Sequence, residues 1–409
     1  MHEAALELDG NRARARWLAP GQVSFPVLSP SGRETWPMLL ADGGRTVLTD
    51  EAALEIHRAD PDRSLADFLP GLGTTRQYQA GNLLTDAAEA LRQVLQSVKR
   101  SQPPLAETAL GYPAYLDDTA ATEAARAADL AGWRVRVAVP SALAWWAAAR
   151  AMADLPGNRP TKRRRWWLVA EADHHGIHLT GIRVEGDHGV VAIRRTLRQL
   201  GGKAWFNRIQ AGVADAVIRR CRRDPRALPE TSQALAARVG EMAGQETPYS
   251  NPVRVELSGN GWSCAFRPTA RDIETWSVPL VLQLAREAEG WRNRLEELGD
   301  PGGMVLAPGA RLPSVEGWAR DWCERLGIPL ALPPDHAACE TLLLWLRATR
   351  QGSVAPGLWR QATAPKLPPP KPALEEVDLP EDLARTKRAG YFEDISDLNL
   401  TGFGPGTGG

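Results

Sequence analysis

His174, His175, His178 and His188 fall close together within Trp166 to Arg208, WWLVAEADHHGIHLTGIRVEGDHGVVAIRRTLRQLGGKAWFNR, and histidines so spaced invite a metal. Zinc wants four ligands, each held by a neighbour that orients it. His174 and His178 would share a strand face, and Asp173 or Asp187 could complete the set. Histidines in turns are mostly just solvated, however, so no metal is expected. Nucleophilic catalysis has no support either: the serines of LSPSGR and TSQAL suit turns and caps, and Asp117-Asp118 suits a helix start. Basic clusters at 162–165, at Arg219, Arg220, Arg222 and Arg223, and at Arg194, Arg195 and Arg198 could meet an anion or a phosphate backbone. The chain balances 49 Lys and Arg against 49 Asp and Glu, which disfavours a general polyanion binder, so nucleic acid is not the expected partner.

The elements that must position these residues alternate between sheet and helix. Alternating apolar residues in IHLTGIRV and VVAIRR predict strands, with turns at ADHHG and EGDHG and a Leu-Gly-Gly bend opening a helix near Trp205. The opening ALELDGNRARARWLAP predicts strands with Leu6, Leu8, Ala13 and Ala15 inward and the arginines outward. Helices are expected over 50–58, 83–99, the stretch SALAWWAAARAMA, 205–223, 230–243, 272–298 and the end of PPDHAACETLLLWLRATR. No internal repeat is evident. With 409 residues, 43% of them hydrophobic, the chain can bury the cores of two lobes. No apolar run is long enough to span a bilayer and no secretory leader is expected, so the reading is cytoplasmic. Cys221, Cys264, Cys323 and Cys339 form no Cys-x-x-Cys pair and read as buried thiols.

Several segments, taken in order, resemble the nucleotide-binding domain of the seventy-kilodalton heat-shock chaperone (DnaK-type) family. Asp9-Gly10 is similar to a shortened first phosphate turn. PAYLDD (Pro113 to Asp118), AVPSALAW, LGGKAWFNR, APGARLP (Ala307 to Pro313) and PPDHAA (Pro333 to Ala338) follow at matching places. The resemblance implies an α/β, two-lobed actin-like (ribonuclease H-like) ATPase-domain fold with mixed sheets flanked by helices. The first lobe would cover 1–158 with an outer subdomain near 31–103. The second would cover 159–358 with an outer subdomain near 211–295 and a return helix near 336–350. A proline-rich linker and an acidic-hydrophobic tail would fill 359–409.

The departures from that family are systematic. Its Asp-Leu-Gly-Gly-Gly-Thr phosphate turn corresponds to Ala170, Glu171, Ala172, Asp173, His174 and His175. A phosphate cradle needs glycines, so the two histidines would be penalised at any positive φ. The lysine expected between Ser64 and Gly71 is absent, the glutamate before the Pro-Thr motif is Val139, and the adenosine loop carries Ala307-Pro308. The resemblance therefore implies a degenerate pseudo-ATPase with no cofactor, more a binding protein than an enzyme. The roughly fifty residues after the last helix are too few for the family's peptide-gripping domain. The implied role is a protein-binding scaffold or regulatory subunit. Its partners would be subunits of a multiprotein assembly, met through residues 360–409, above all Leu379, Leu383, Tyr391, Phe392, Ile395 and Leu398. A divergent chaperone-type ATPase is the alternative, holding ATP and magnesium through Asp9, Gly10, Gly201, Gly202, Gly309 and Arg311. A nucleic-acid-associated protein is the third.

Overall fold

The computed structural model describes residues 2–364 apart from 19–23, 30–31, 101–104, 153–163, 244–248, 260 and 352–356. The proposed partner residues Leu379 to Leu398 lie outside the described part. The fold is mixed α/β, built on two larger sheets with the same strand order. In the first, strand His2–Leu8 runs antiparallel to Arg12–Leu18, which carries Phe25–Pro26 at the edge. On its other side it runs parallel to Leu105–Tyr112, which in turn runs parallel to Val135–Pro140. The second sheet repeats this plan. Strand Arg165–Ala172 is antiparallel to Ile177–Glu185, which pairs with His188–Leu197. On its far side lie the parallel strands Asp300–Leu306 and Leu330–Ala331.

Each sheet encloses an insertion between its antiparallel and parallel strands. The first insertion holds a small three-stranded sheet, the hairpin Gln77–Ala80 with Leu83–Asp86, and helices Asp50–Ala59 and Ala87–Arg100. The second holds helices Gly202–Cys221, Pro229–Ala243 and Ala270–Glu296 around the hairpin Val255–Gly259 with Trp262–Phe266. The Ala270 helix starts in a reciprocal cap in which Thr269 and Asp272 each accept the other's backbone N–H.

Between the two sheets lies a shared core. Helix Ser141–Ala151 is so rich in Ala and Trp that it is buried on nearly every side. It packs with Ala337–Arg350, Val137, Val139, Trp167, Val169 and Val305 in one apolar cluster. Packing on both faces leaves most of strand Arg12–Leu18 buried even though its sequence alternates Arg with Ala. The same coverage overturns the outward placement of the first arginines: Arg14 is 7% exposed and Arg16 is 9% exposed. Arg14 meets Glu7 at 3.2 Å and Asp335 at 3.4 Å, and Arg16 pairs with Glu34 and donates to Ser24 Oγ.

The expected linker from 359 also begins later than the composition indicated. Gly357–Leu358 adds a parallel strand beside Val137 and Ala138 on the first sheet. Gln361–Thr363 then adds an antiparallel strand beside His188–Val190 on the second. Between them the Trp359 N–H donates to the Ala138 carbonyl, and the Arg360 carbonyl accepts from Val191. Strands this short carry no readable alternation, which is why the sequence pattern missed them. Among the described residues no helix is long and apolar enough to cross a membrane.

Candidate functional site

The first hairpin turn of each sheet has the same internal wiring. In Asp9-Gly10-Asn11-Arg12, the Asp9 N–H donates to the Arg12 carbonyl, while Asp9 Oδ1 accepts the N–H groups of Asn11 and Arg12, each at 2.8 Å. In Asp173-His174-His175-Gly176, the Asp173 N–H donates to the Gly176 carbonyl. Asp173 Oδ1 accepts the N–H groups of His175 at 2.7 Å and Gly176 at 3.1 Å. Each aspartate folds back on its own turn, as short acidic side chains do readily. The repeat that the sequence pattern did not disclose is thus Glu-x-Asp whose aspartate opens a four-residue turn, at Glu7 to Arg12 and at Glu171 to Gly176.

The two turns interlock. Asn11 Oδ1 accepts the His174 N–H at 2.7 Å. A Cβ on Gly10 would stand 2.1 Å from Asp173 Oδ2, so glycine is required there by close approach. Neither His174 nor His175 takes a positive φ, so the strain expected of them is absent. The turn closes through Asp173 instead of through a glycine run. His178 Nε2 lies 3.1 Å from Asp173 Oδ1, and its other ring nitrogen meets Thr196. The Tyr115 ring lies over His178 with centroids 4.5 Å apart. His175 reaches Asp67 at 3.7 Å. Burial alone would raise the Asp173 carboxyl. The hydrogen bond and charge of His178, the charge of His175 and the His175 N–H nevertheless hold it below the usual carboxylate value.

One strand step before each turn stands a glutamate that sequence analysis did not single out. Glu7 is 6% exposed, and burial pushes its carboxyl up to about 7 against the pull of Arg14. Glu171 accepts a hydrogen bond from Ser141 Oγ at 2.5 Å. Burial pushes its carboxyl up to about 8, the charges of Glu7, Asp173 and Asp9 adding to that. A carboxyl that keeps its proton near neutrality donates hydrogen bonds and is a poor ligand for a hard cation. The signal was present in the repeated Glu-x-Asp, but each glutamate sits in an apolar strand and resembles an ordinary outward residue. Among the described residues no three His, Cys, Asp or Glu side chains are grouped to hold a metal.

The remaining predicted residues gather round the same turns. Ala170 is not part of the turn: it is buried inside strand Arg165–Ala172, where its carbonyl accepts from Ala307. The turn opens three residues later, at Asp173. A Cβ on Gly201 would stand 2.3 Å from the His174 carbonyl, and the Gly202 N–H donates to the Asp173 carbonyl at 2.7 Å. The helix start that could face an anion is therefore capped by the second turn. A Cβ on Gly309 would stand 2.6 Å from the Ala172 carbonyl. Arg311 donates to the Pro333 carbonyl within its own lobe. Asp9, Gly10, Asp173, His174, His175, Gly201, Gly202 and Gly309 are thus brought together, and Arg311 is engaged at the rim. No family model matches this chain, and no curated protein matches it at a significant level.

Proposed function

We propose that this chain is a two-lobed actin-like protein, a degenerate relative of the heat-shock chaperone nucleotide domain, that works as a protein-binding scaffold or regulatory subunit rather than as an ATPase. The supporting observation is the pair of interlocked turns. A phosphate cradle offers free backbone N–H groups to an anion. Here those of Asn11, Arg12, His175 and Gly176 go to Asp9 and Asp173, and that of His174 to Asn11. Each lobe carries a built-in carboxylate where a triphosphate would sit. The repeated sheet order supports the actin-like reading, since that plan duplicates one such sheet in each lobe.

Nucleotide-driven closure needs a ligand with different affinities for the open and closed states. With the turns interlocked, that bias has no site to act on. Calorimetric titration with ATP or ADP, with and without magnesium, should give no heat beyond dilution. Saturable binding that is lost in Arg311→Ala would instead establish the chaperone-type ATPase reading. The partner-binding role is tested by pull-down with the whole chain and with one ending at Ala364, which keeps the edge strand Gln361–Thr363 that a cut at residue 360 would remove. Partner recovery should fall at least tenfold on truncation; equal recovery would assign binding to the folded lobes alone.

A further inference from the structure

We propose that Cys221 and Cys264 form a thiol pair that low-molecular-weight disulfides oxidise to an intrachain disulfide, a redox modification site in the insertion of the second sheet. The two residues are 43 positions apart in sequence, yet the fold sets them side by side. Cys221 is the last residue of helix Gly202–Cys221, where Arg222 takes the left-handed conformation and ends the helix. Cys264 sits in the middle of strand Trp262–Phe266, opposite Leu257. The helix end is fastened to that strand on both sides of the pair. Cys221 Sγ donates to the Ser263 carbonyl at 3.6 Å, and the Arg220 guanidinium lies over the Phe266 ring at 4.5 Å. The Ser263 carbonyl that Cys221 meets belongs to the peptide leading into Cys264, and the Cys221 thiol acts on the Cys264 thiol, so the two free thiols are neighbours.

Exposure sets the order of events. Cys221 is partly exposed and Cys264 is 6% exposed, so an incoming disulfide reaches Cys221 first. The Cys221 thiolate attacks one sulfur of the small disulfide; a mixed disulfide forms and one small thiol leaves. Cys264 then attacks the Cys221 sulfur, closing the protein disulfide and releasing the second small thiol. Two protein thiols lose two electrons and two protons, and the small disulfide gains them. Burial pushes the Cys264 thiol up to about 11, with the hydrogen bond and charge of Cys221 adding to it and Arg220 opposing. Once Cys221 is in the mixed disulfide its contribution is gone, while Arg220 still favours the attacking thiolate. The closed loop encloses helix Pro229–Ala243 and the hairpin, so oxidation tethers the outer part of this lobe.

The test treats the whole chain with oxidised glutathione and maps alkylated and cross-linked peptides by mass spectrometry. Expected are loss of two of the four alkylatable thiols, a Cys221–Cys264 cross-linked peptide, and a melting temperature about 5 °C higher that dithiothreitol reverses. Cys264→Ala should stop at a single glutathione adduct on Cys221. Cys323 and Cys339, buried away from this pair, should stay alkylatable after denaturation. Recovery of all four thiols, or a persistent glutathione adduct on the native chain without cross-link, overturns the proposal.

Discussion

Gly10→Ala should destabilise the protein by about 2–4 kcal/mol, a loss out of proportion to one methyl group. Its cause is the approach of the first turn to the second. The new Cβ would lie 2.1 Å from Asp173 Oδ2 and 2.5 Å from Asp173 Cγ, and the Asp173 side chain cannot swing aside. Its other oxygen accepts two backbone N–H groups and faces His178. Relief must come from moving the turns apart, which also breaks the bond from His174 to Asn11. A double-mutant cycle isolates the effect. In an Asp173→Gly background, itself weakened by the loss of the His178 partner but freed of the carboxylate and of the Cβ that would stand 2.8 Å away, Gly10→Ala should cost well under 1 kcal/mol. Equal costs in both backgrounds, measured by chemical denaturation, would falsify the interlocked turns and with them the case for a self-filled cleft.

The second large effect is on the dependence of stability on pH. Glu7 and Glu171 bind their protons more tightly when folded, up to about 7 and about 8 respectively. Between the ordinary glutamate value and these, the unfolded chain has already released protons that the folded chain retains. Stability therefore falls as pH rises through this window, by up to about 1.4 kcal/mol per pH unit for each group. Asp173 acts in the opposite direction. Its lowered carboxyl contributes stability above the usual aspartate value, and that contribution is lost as pH falls through its folded value. The two trends place the stability maximum at about pH 4, between the ordinary aspartate and glutamate values. Glu171→Gln keeps an acceptor for Ser141 and carries no titrating proton. It should match the parent at about pH 4 and exceed its unfolding free energy by a few kcal/mol at about pH 8.5. Parallel profiles for the two proteins would show that Glu171 ionises freely.

The sheet framework was legible because its signals are local. Gly186 and Gly189 bracket one turn, DHHG marks another, and Asp117 caps its helix by accepting the Ala120 N–H as its residue type predicts. The site glycines were named only through the family resemblance, as nucleotide contacts; that Gly10, Gly201 and Gly309 are pressed against other parts of the chain is seen only in the fold. The partners were not legible either. Nothing in the spacing of Asp173 says that its oxygens turn back onto its own turn, or that Gly10 is the surface it presses on. Arg14 reads as a solvated strand residue until helix Ala337–Arg350 is known to bring Cys339, and the turn before it Asp335, close by. Glu7 and Glu171 were hidden for the same reason. Their burial and their partners, Arg14 across the hairpin for Glu7 and Ser141 at a helix start for Glu171, exist only once the chain is folded.

The final described segment decides how the protein bears load. Its backbone is bonded first along one sheet margin and then, running the other way, along the second, while Arg360 pairs with Asp118 and Trp345 donates to the Thr363 carbonyl. Traction on the residues beyond Ala364 would therefore strain Gln361–Thr363 first and Gly357–Leu358 next, loading the second sheet and then the first. This strap would peel before the two sheets separated, making it the weakest link in the mechanical path.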